Sequence, residues 1–371
     1  MRNNFAGILK KEPVLTVSAI CMLFSMLFVP PSKTYLNYID FRVLALLFCL
    51  MAVVAGLQRH GLFVWMARCM LAGKKQLRAL FLLLILLPFF ASMLVTNDVA
   101  LITFVPFAIL ILQLTGQQHY LIFVIVMQTV AANLGSMTTP IGNPQNLYLY
   151  SSFRLSAGDF FGAVLPYTLL AFPLLCVSVL FFPKKEVSVS LPESDTSPDK
   201  KNTILYLALF VLCLLSVFHV LHYGILLVIV CLALFLADRS LYRTMDYGLL
   251  LTFVCFFIFA GNIGAIDSIK FLLQNLLARH PLITSAMASQ VISNVPAAVL
   301  LSNFTNDWKA LLLGTDIGGL GTPIASLASL ISFRLYMKTG RASAAKYLGW
   351  FSLVNFCGLA LFLLLAAAVF P

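Results

Sequence analysis

The chain predicts an all-α polytopic membrane protein made of two inverted repeats, each with a re-entrant hairpin and a broken transmembrane helix. Three observations carry this: long unbroken apolar stretches, two further stretches with polar residues at their centres, and an internal repeat on spans of opposite direction. Of 371 residues, 61% are hydrophobic and 10% charged, whereas a soluble domain carries about 25% charged residues. So apolar a chain is stable in hydrocarbon rather than in water. A transmembrane β-barrel does not fit, because its strands alternate apolar and polar residues over about ten positions.

Taken in order, the first 31 residues have the basic start and apolar stretch of a signal peptide. No small-x-small cleavage site follows, so they read as a retained first span. Continuous apolar spans fall near 13–29, 40–57, 160–182, 202–219, 223–237, 246–263 and 345–370. Two more, 119–150 and 308–338, are overlong and interrupted by Gly and Pro, which makes about nine full spans. Stretches 77–112 and 281–304 are apolar with polar centres and read as hairpins. A polar segment, 184–201, separates a first repeat (1–183) from a second (202–371).

The net charge of +11 invites a nucleic-acid partner, but the basic residues sit in loops, where they set orientation instead. With a cytoplasmic N-terminus and hairpins that return to their own side, only Lys33, Arg42, Arg154, Lys270, Arg279 and Lys309 lie outside. The other 18 of the 24 Lys and Arg are cytoplasmic, and the C-terminus is external. Had 77–112 crossed fully, the four Lys of the central segment would lie outside and the bias would weaken. The eight Cys form no CxxC and have no His spacing suited to zinc, so they read as small hydrophobes in lipid. No cofactor is expected beyond a coupling ion, a proton or sodium.

The repeat aligns Ala132-Asn133-Leu134-Gly135-x-x-x-Thr139-Pro140-Ile141 with Thr315-Asp316-Ile317-Gly318-x-x-x-Thr322-Pro323-Ile324. Upstream, Val95-Thr96-Asn97 aligns with Ile292-Ser293-Asn294, Ala55-Gly56 with Ala260-Gly261, and Asp40-Phe41 with Asp246-Tyr247. Under the charge-derived topology, span 40–57 runs inward and span 246–263 outward, so the copies are inverted, as in many secondary transporters.

The candidate site follows from where lipid cannot satisfy the backbone. A break at membrane depth must be buried in protein or line a cavity. At the first hairpin tip, Asn97 and Asp98 suit the cap of the second half-helix; at the other tip Ser293 and Asn294 can cap, with Pro296 in the first turn. The broken helices carry Thr139, Pro140, Gly142, Asn143 and Asn146, then Asp316, Gly318, Thr322 and Pro323. Gly lets the backbone unwind there, and Pro frees a carbonyl that can hold a cation. Half-helix N-termini can face an anion. Asp98 and Asp316 at membrane depth are functional candidates that could take a proton or sodium. Asp40, Asp246 and Asp267 sit at span edges and read as solvated.

These residues resemble the ion transporter superfamily that includes citrate and dicarboxylate permeases and arsenite efflux permeases. The resemblance rests on Leu94-Val-Thr-Asn-Asp-Val-Ala100, Gly135-Ser-Met-Thr-Thr-Pro-Ile-Gly-Asn-Pro-Gln-Asn146, Ser289-Gln-Val-Ile-Ser-Asn-Val-Pro296, Gly314-Thr-Asp-Ile-Gly318 and Thr322-Pro-Ile-Ala-Ser-Leu-Ala328. Within it the chain looks most like a small subgroup of bacterial anion-permease-like inner-membrane proteins. In sodium-coupled dicarboxylate carriers a Ser-Asn-Thr at each tip contacts sodium and carboxylate. The resemblance puts Thr96-Asn97-Asp98 and Ser293-Asn294-Val295 in those places, with sodium near Asn97 and Asn294. Asp98 replaces a neutral residue and would repel a dianion, and the Asn-Asp tip looks closer to arsenite permeases. The resemblance also implies scaffold and transport domains joined by arms at 58–76 and 265–280, a homodimer, and an elevator-type movement.

The expected function is a secondary transporter of a small anion or oxyacid across the inner membrane, partnered by its solute and by lipid. The alternatives are an arsenite-like efflux permease, a cation/proton antiporter or an ion channel. No enzyme is expected. Asp98 and Asp316 lack the Tyr-Asp and Gly-x-Gly-Asp context of an intramembrane aspartyl protease, and there is no G-x-x-x-x-G-K-[ST] nucleotide loop.

Overall fold

The computed structural model describes residues 13–189, 199–340 and 342–369. The basic N-terminal residues 1–12 and half of the predicted linker, 190–198, lie outside it. Among the described residues the chain is an all-α polytopic membrane protein, with a single two-stranded sheet. Seven helices are long and apolar enough to cross a membrane, from Phe41–Arg59 to Ala344–Val369. Pro13–Ser25 and Tyr223–Ala237 are apolar but shorter.

Large apolar side chains such as Leu236 (80% exposed) and Leu364 (71%) cover the outside, and the largely apolar interior encloses a set of buried polar residues. This arrangement suits a hydrocarbon solvent, which rewards apolar contact outside and leaves polar groups to find partners within.

Both centrally polar stretches are interrupted. The first consists of Leu77–Ala91 and Asn97–Leu114 with a short turn between them. The second, Pro281–Ile292 and Asn294–Leu301, turns at one residue, Ser293, at φ 73°. L residues rarely adopt that region, and they persist there only where surrounding contacts hold them. The overlong spans are also in two pieces: Leu121–Ser136 with Pro144–Ser152, and Trp308–Ile317 with Leu327–Met337.

The copies pack alike. Leu77–Ala91 lies on Leu121–Ser136, as Pro281–Ile292 lies on Trp308–Ile317. The second halves cross between repeats: Asn97–Leu114 packs on Leu327–Met337, and Asn294–Leu301 on Pro144–Ser152. The matched aspartates make the same cap. Asp40 Oδ1 accepts from the Val43 N–H at 3.0 Å, and Asp246 Oδ1 accepts from the Leu249 N–H at 2.9 Å. They cap the N-termini of these helices while standing partly or fully exposed at the span edges.

In the second break the backbone turns through Gly321 at φ 105°, as expected of glycine there, whereas Gly135 and Gly318 take no such conformation. Gly135 is helical, and Gly318 at the end of its helix has φ −62°. Their task is close approach. A Cβ on Gly135 would run into the carbonyl oxygen of Phe89, and one on Gly318 would come within 3.0 Å of Ala286 Cα. Each broken helix thus meets its hairpin backbone to backbone. Gly135→Val is expected to destabilise the fold by about 1–3 kcal/mol through overpacking. A melting temperature in detergent equal to that of the parent protein would refute this.

The sheet was not anticipated. Gly73–Gln76 pairs antiparallel with Glu186–Val189, in register Lys74↔Ser188 and Lys75↔Val187. The Leu77 N–H extends the ladder to the Lys185 carbonyl at 2.7 Å. The segment entering the first hairpin is thereby tied to the start of the predicted linker.

Candidate functional site

Each hairpin tip makes the same three hydrogen bonds, two of them to its own broken helix. The Asn97 N–H donates to the Gly142 carbonyl at 3.2 Å, and the Asn294 N–H to the Ala325 carbonyl at 3.0 Å. Asn97 Oδ1 accepts from the Asp98 N–H, and Asn294 Oδ1 from the Val295 N–H, both at 2.9 Å. Thr139 Oγ1 donates to the Met93 carbonyl at 2.6 Å, and Thr322 Oγ1 to the Gln290 carbonyl at 3.0 Å. Every partner occupies the position that the repeat alignment assigns it.

The two assemblies then meet. Asn97 Nδ2 donates to Asn133 Oδ1 at 2.9 Å and reaches Ser326 Oγ at 3.5 Å. Ser326 Oγ also donates to Asn133 Oδ1 at 3.1 Å, and Asn133 Nδ2 donates to the Gly319 carbonyl at 3.3 Å. Gln145 Nε2 of the first broken helix donates to Asp316 Oδ1 of the second at 3.1 Å. Asn97, Asn133, Gln145, Asp316 and Ser326 are all buried. At low dielectric such a network is strong when satisfied and costly when it is not.

The breaks solve their carbonyl problem differently. A helix end leaves carbonyls without partners, and lipid offers them none. In the first break Asn146 Nδ2 donates to the carbonyls of Ser136, Met137 and Thr139, at 3.4, 3.3 and 3.2 Å. In the second, Gln290 reaches across from the hairpin: its Nε2 donates to the carbonyls of Gly318 (2.7 Å) and Leu320 (2.9 Å), and its Oε1 accepts from the Thr322 N–H at 2.8 Å. Gln290 stands where the first hairpin has Met93.

Of the residues expected from sequence, Asn97, Thr139, Gly142, Asn146, Asn294, Asp316, Gly318 and Thr322 take part in these bonds. Ser293 Oγ donates to the Ala325 carbonyl at 3.3 Å. Pro140 and Pro323 lie in the breaks and Asn143 begins the helix after the first. Asp98 does not cap as expected: its N–H is taken by Asn97, and its Oδ1 is buried with no donor among the described residues. Thr96 makes no side-chain cap. Asn133, Gln145 and Gln290 join the network without being expected from sequence, whereas Ser326 lies among the break residues. Asn133 was legible, because the repeat sets it opposite Asp316; Gln290 was a lone amide in an apolar half-helix.

Two cavities flank this centre. One of about 370 Å³ is lined by Thr96, Asp98 and Asn143, by apolar Leu50, Met51 and Val54, and by Asp246 and Arg334. The other, about 590 Å³, is lined by Asp40, Arg42, Tyr148, Phe257 and Asn303. Asp40 and Asp246 are repeat-related, so the cavities sit at corresponding places in the two halves. They differ in reach: the first contacts a hairpin tip, whereas the second includes no tip residue. Beside the second, Tyr148 Oη and Ser302 Oγ are joined at 2.7 Å, linking a broken helix to a hairpin.

Comparison with known proteins agrees with this architecture. The sequence profile described as "Citrate transporter" matches residues 6–306. The chain is 30% identical over 323 residues to the "Uncharacterized transporter MJ0456" of Methanocaldococcus jannaschii, covering 87% of this chain and 88% of the relative. It is 30% identical over 331 residues to "Inner membrane protein YbiR" of Escherichia coli, covering 87% and 86%. A shorter match, 30% over 164 residues, relates 44% of the chain to 32% of the "Silicon efflux transporter LSI3" of Oryza sativa subsp. japonica.

Proposed function

Since this chain belongs to the citrate transporter family, we propose that it is a secondary active transporter that moves a small anion or oxyacid across the inner membrane, driven by a proton or sodium gradient. That it is a membrane transporter follows from the family and from relatives bearing that name. One observation supports the finer reading: two interrupted hairpins and two broken helices, bonded alike within each repeat, meet in one buried polar centre through Asn97, Asn133, Ser326, Gln145 and Asp316. A pore needs a continuous wet path. Paired, sealed breaks beside a one-sided cavity suit alternating access instead.

In this reading the N-terminus is cytoplasmic and the C-terminus external. The 370 Å³ cavity, with Asp246 and Arg334 in its wall, then opens the first tip to the cytoplasm, while Tyr148 and Ser302 close the other side. The solute lies among Thr96, Asn97, Asp98 and Asn143. The hairpins and broken helices travel together as the transport domain of each protomer in a homodimer, by an elevator-type movement, with the remaining spans as scaffold.

A second reading, efflux of a neutral oxyacid, is favoured by Asp98. A carboxylate with an unpartnered buried oxygen in the cavity wall opposes a dianion by Coulomb repulsion, at low dielectric by several kcal/mol. A proteoliposome panel of succinate, citrate, sulfate and arsenite, with and without proton and sodium gradients, separates the two. Saturable, gradient-driven uptake of a carboxylate or sulfate supports the first, and movement of arsenite alone supports the second. Unsaturable flux independent of any gradient refutes both.

A further inference from the structure

Three basic groups converge at one edge of the fold, outside the polar centre. Arg42 lies in the first turn of Phe41–Arg59, Arg154 just past Pro144–Ser152, and His219 just past Lys200–Val217. Arg42 Nη2 donates to His219 Nδ1, which leaves the imidazole Nε2 as an N–H donor. The His219 ring stacks on Tyr150, with centroids 5.3 Å apart. Tyr150 in turn anchors the turn that carries Arg154, its carbonyl accepting from the Leu155 N–H at 3.0 Å. Arg42 and Ser152 line the cavity of about 590 Å³, so the cluster stands at its edge.

The cluster lacks counter-charge. Among the described residues neither arginine has a carboxylate within salt-bridge distance; the ion pair there joins Arg59 to Asp238. Asp40, two residues from Arg42, has its Oδ1 engaged by the Val43 N–H. Arg42 also sits at a helix N-terminus, where the dipole is positive. Partial burial, and then the charges of Arg42 and Arg154, hold His219 below the usual histidine range. The backbone is strained as well. Arg154 (φ 49°) and His219 (φ 65°) are two of three described non-glycine residues at positive φ, and the third is Ser293 at a hairpin tip. Each follows a helix end, where glycine is the ordinary occupant. A basic side chain there costs free energy that glycine would not, and such outliers gather at ligand sites. The helix ends favour a cation at Arg154 and at His219 one at a time. They do not draw Arg42 to the same place.

We propose that Arg42, Arg154 and His219 form a binding site for a small oxyanion (sulfate, phosphate or a carboxylate) at the edge of this cavity and apart from the hairpin tips. A guanidinium presents paired N–H donors that match two oxygens of one oxyanion, and His219 Nε2 adds another donor. The anion supplies the counter-charge that the neighbouring side chains do not. On the topology proposed above this edge faces outward, where the charge bias disfavours arginine. Tyr148 in the wall of the same cavity leads to Ser302 of the second hairpin. The site therefore gathers anions at the outer side before they reach the polar centre, as a basic rim raises the local concentration of anions. That gathering role rests on the transporter reading; the binding does not.

The test needs no transport. The purified full-length chain is melted in detergent at neutral pH and constant ionic strength, with sodium chloride replaced stepwise by sodium sulfate, sodium phosphate or sodium succinate. At about 50 mM, at least one of the three is expected to raise the melting temperature by about 2 °C. Arg42→Gln and Arg154→Gly are expected to lose that shift. In chloride, Arg154→Gly is expected to melt at or above the parent temperature, because glycine relieves the left-handed backbone. A parent protein indifferent to all three anions overturns the proposal. So does an equal shift in parent and variants, which exclusion of the salt from the protein surface would produce. An Arg154→Gly protein that melts well below the parent in chloride overturns it too, by giving the arginine a structural task. Should the shift appear as expected while no solute moves in proteoliposomes, the transporter reading falls and the site stands.

Discussion

Asn97→Ala is expected to reduce transport by roughly 100-fold or more while the protein remains folded and monodisperse, and Asn294→Ala to do the same. The Asn97 side chain links three elements. It accepts from the adjacent Asp98 N–H in the first turn of its half-helix, holds Asn133 of the first broken helix and reaches Ser326 of the second. Without it the Asp98 N–H and the Asn133 oxygen each lose a partner, at about 1–3 kcal/mol for a buried group left unsatisfied. The backbone bond from Asn97 to Gly142 survives, so the tip stays attached but loses its set position. A displacement of about 1 Å at a binding centre can cost 100-fold. Uptake into proteoliposomes, read beside size-exclusion profiles, measures this. Full activity in either variant would remove that tip from the site.

Asp98→Asn is expected to flatten the pH dependence of transport while keeping the geometry of the tip, because Asn matches Asp in shape. Asp98 lines the 370 Å³ cavity amid largely apolar walls. Its Oδ1 has no donor among the described residues, and its own N–H is held by Asn97 whatever its charge. A carboxyl so placed changes the field at the solute when it gains or loses a proton, and an amide cannot. Asp316 differs: it has no place in the lining of that cavity, and it takes a donor from Gln145. Transport rates across a pH series compare the two proteins. An identical profile in the variant would exclude Asp98 from the protonation step.

Much of this was legible in the sequence. The tips at Asn97 and Asn294 were marked by polar residues inside apolar stretches, which lipid does not tolerate without a purpose. Alignment of Thr139-Pro140-Ile141 with Thr322-Pro323-Ile324 foretold equivalent roles for Thr139 and Thr322. Glycine was ambiguous, because the turn at Gly321 and close approach leave the same letter. Gly135 proved to be a contact point under Phe89. Capping was misread: neither Asn97 nor Asp98 is the cap, for the half-helix starts at Asn97 itself and Asn97 accepts only from the adjacent Asp98 N–H.

What the sequence determined by itself was the membrane class, the places where helices break and the pairing of one repeat with the other. These depend on composition and order, which a hydrocarbon solvent reads directly. Which polar groups find partners was decided only in three dimensions. Gln290 reaches Gly318, 28 residues on, and Gln145 reaches Asp316, 171 residues away. Hydrogen bonding requires approach within about 3 Å, and no local pattern specifies contacts between groups so far apart in the chain.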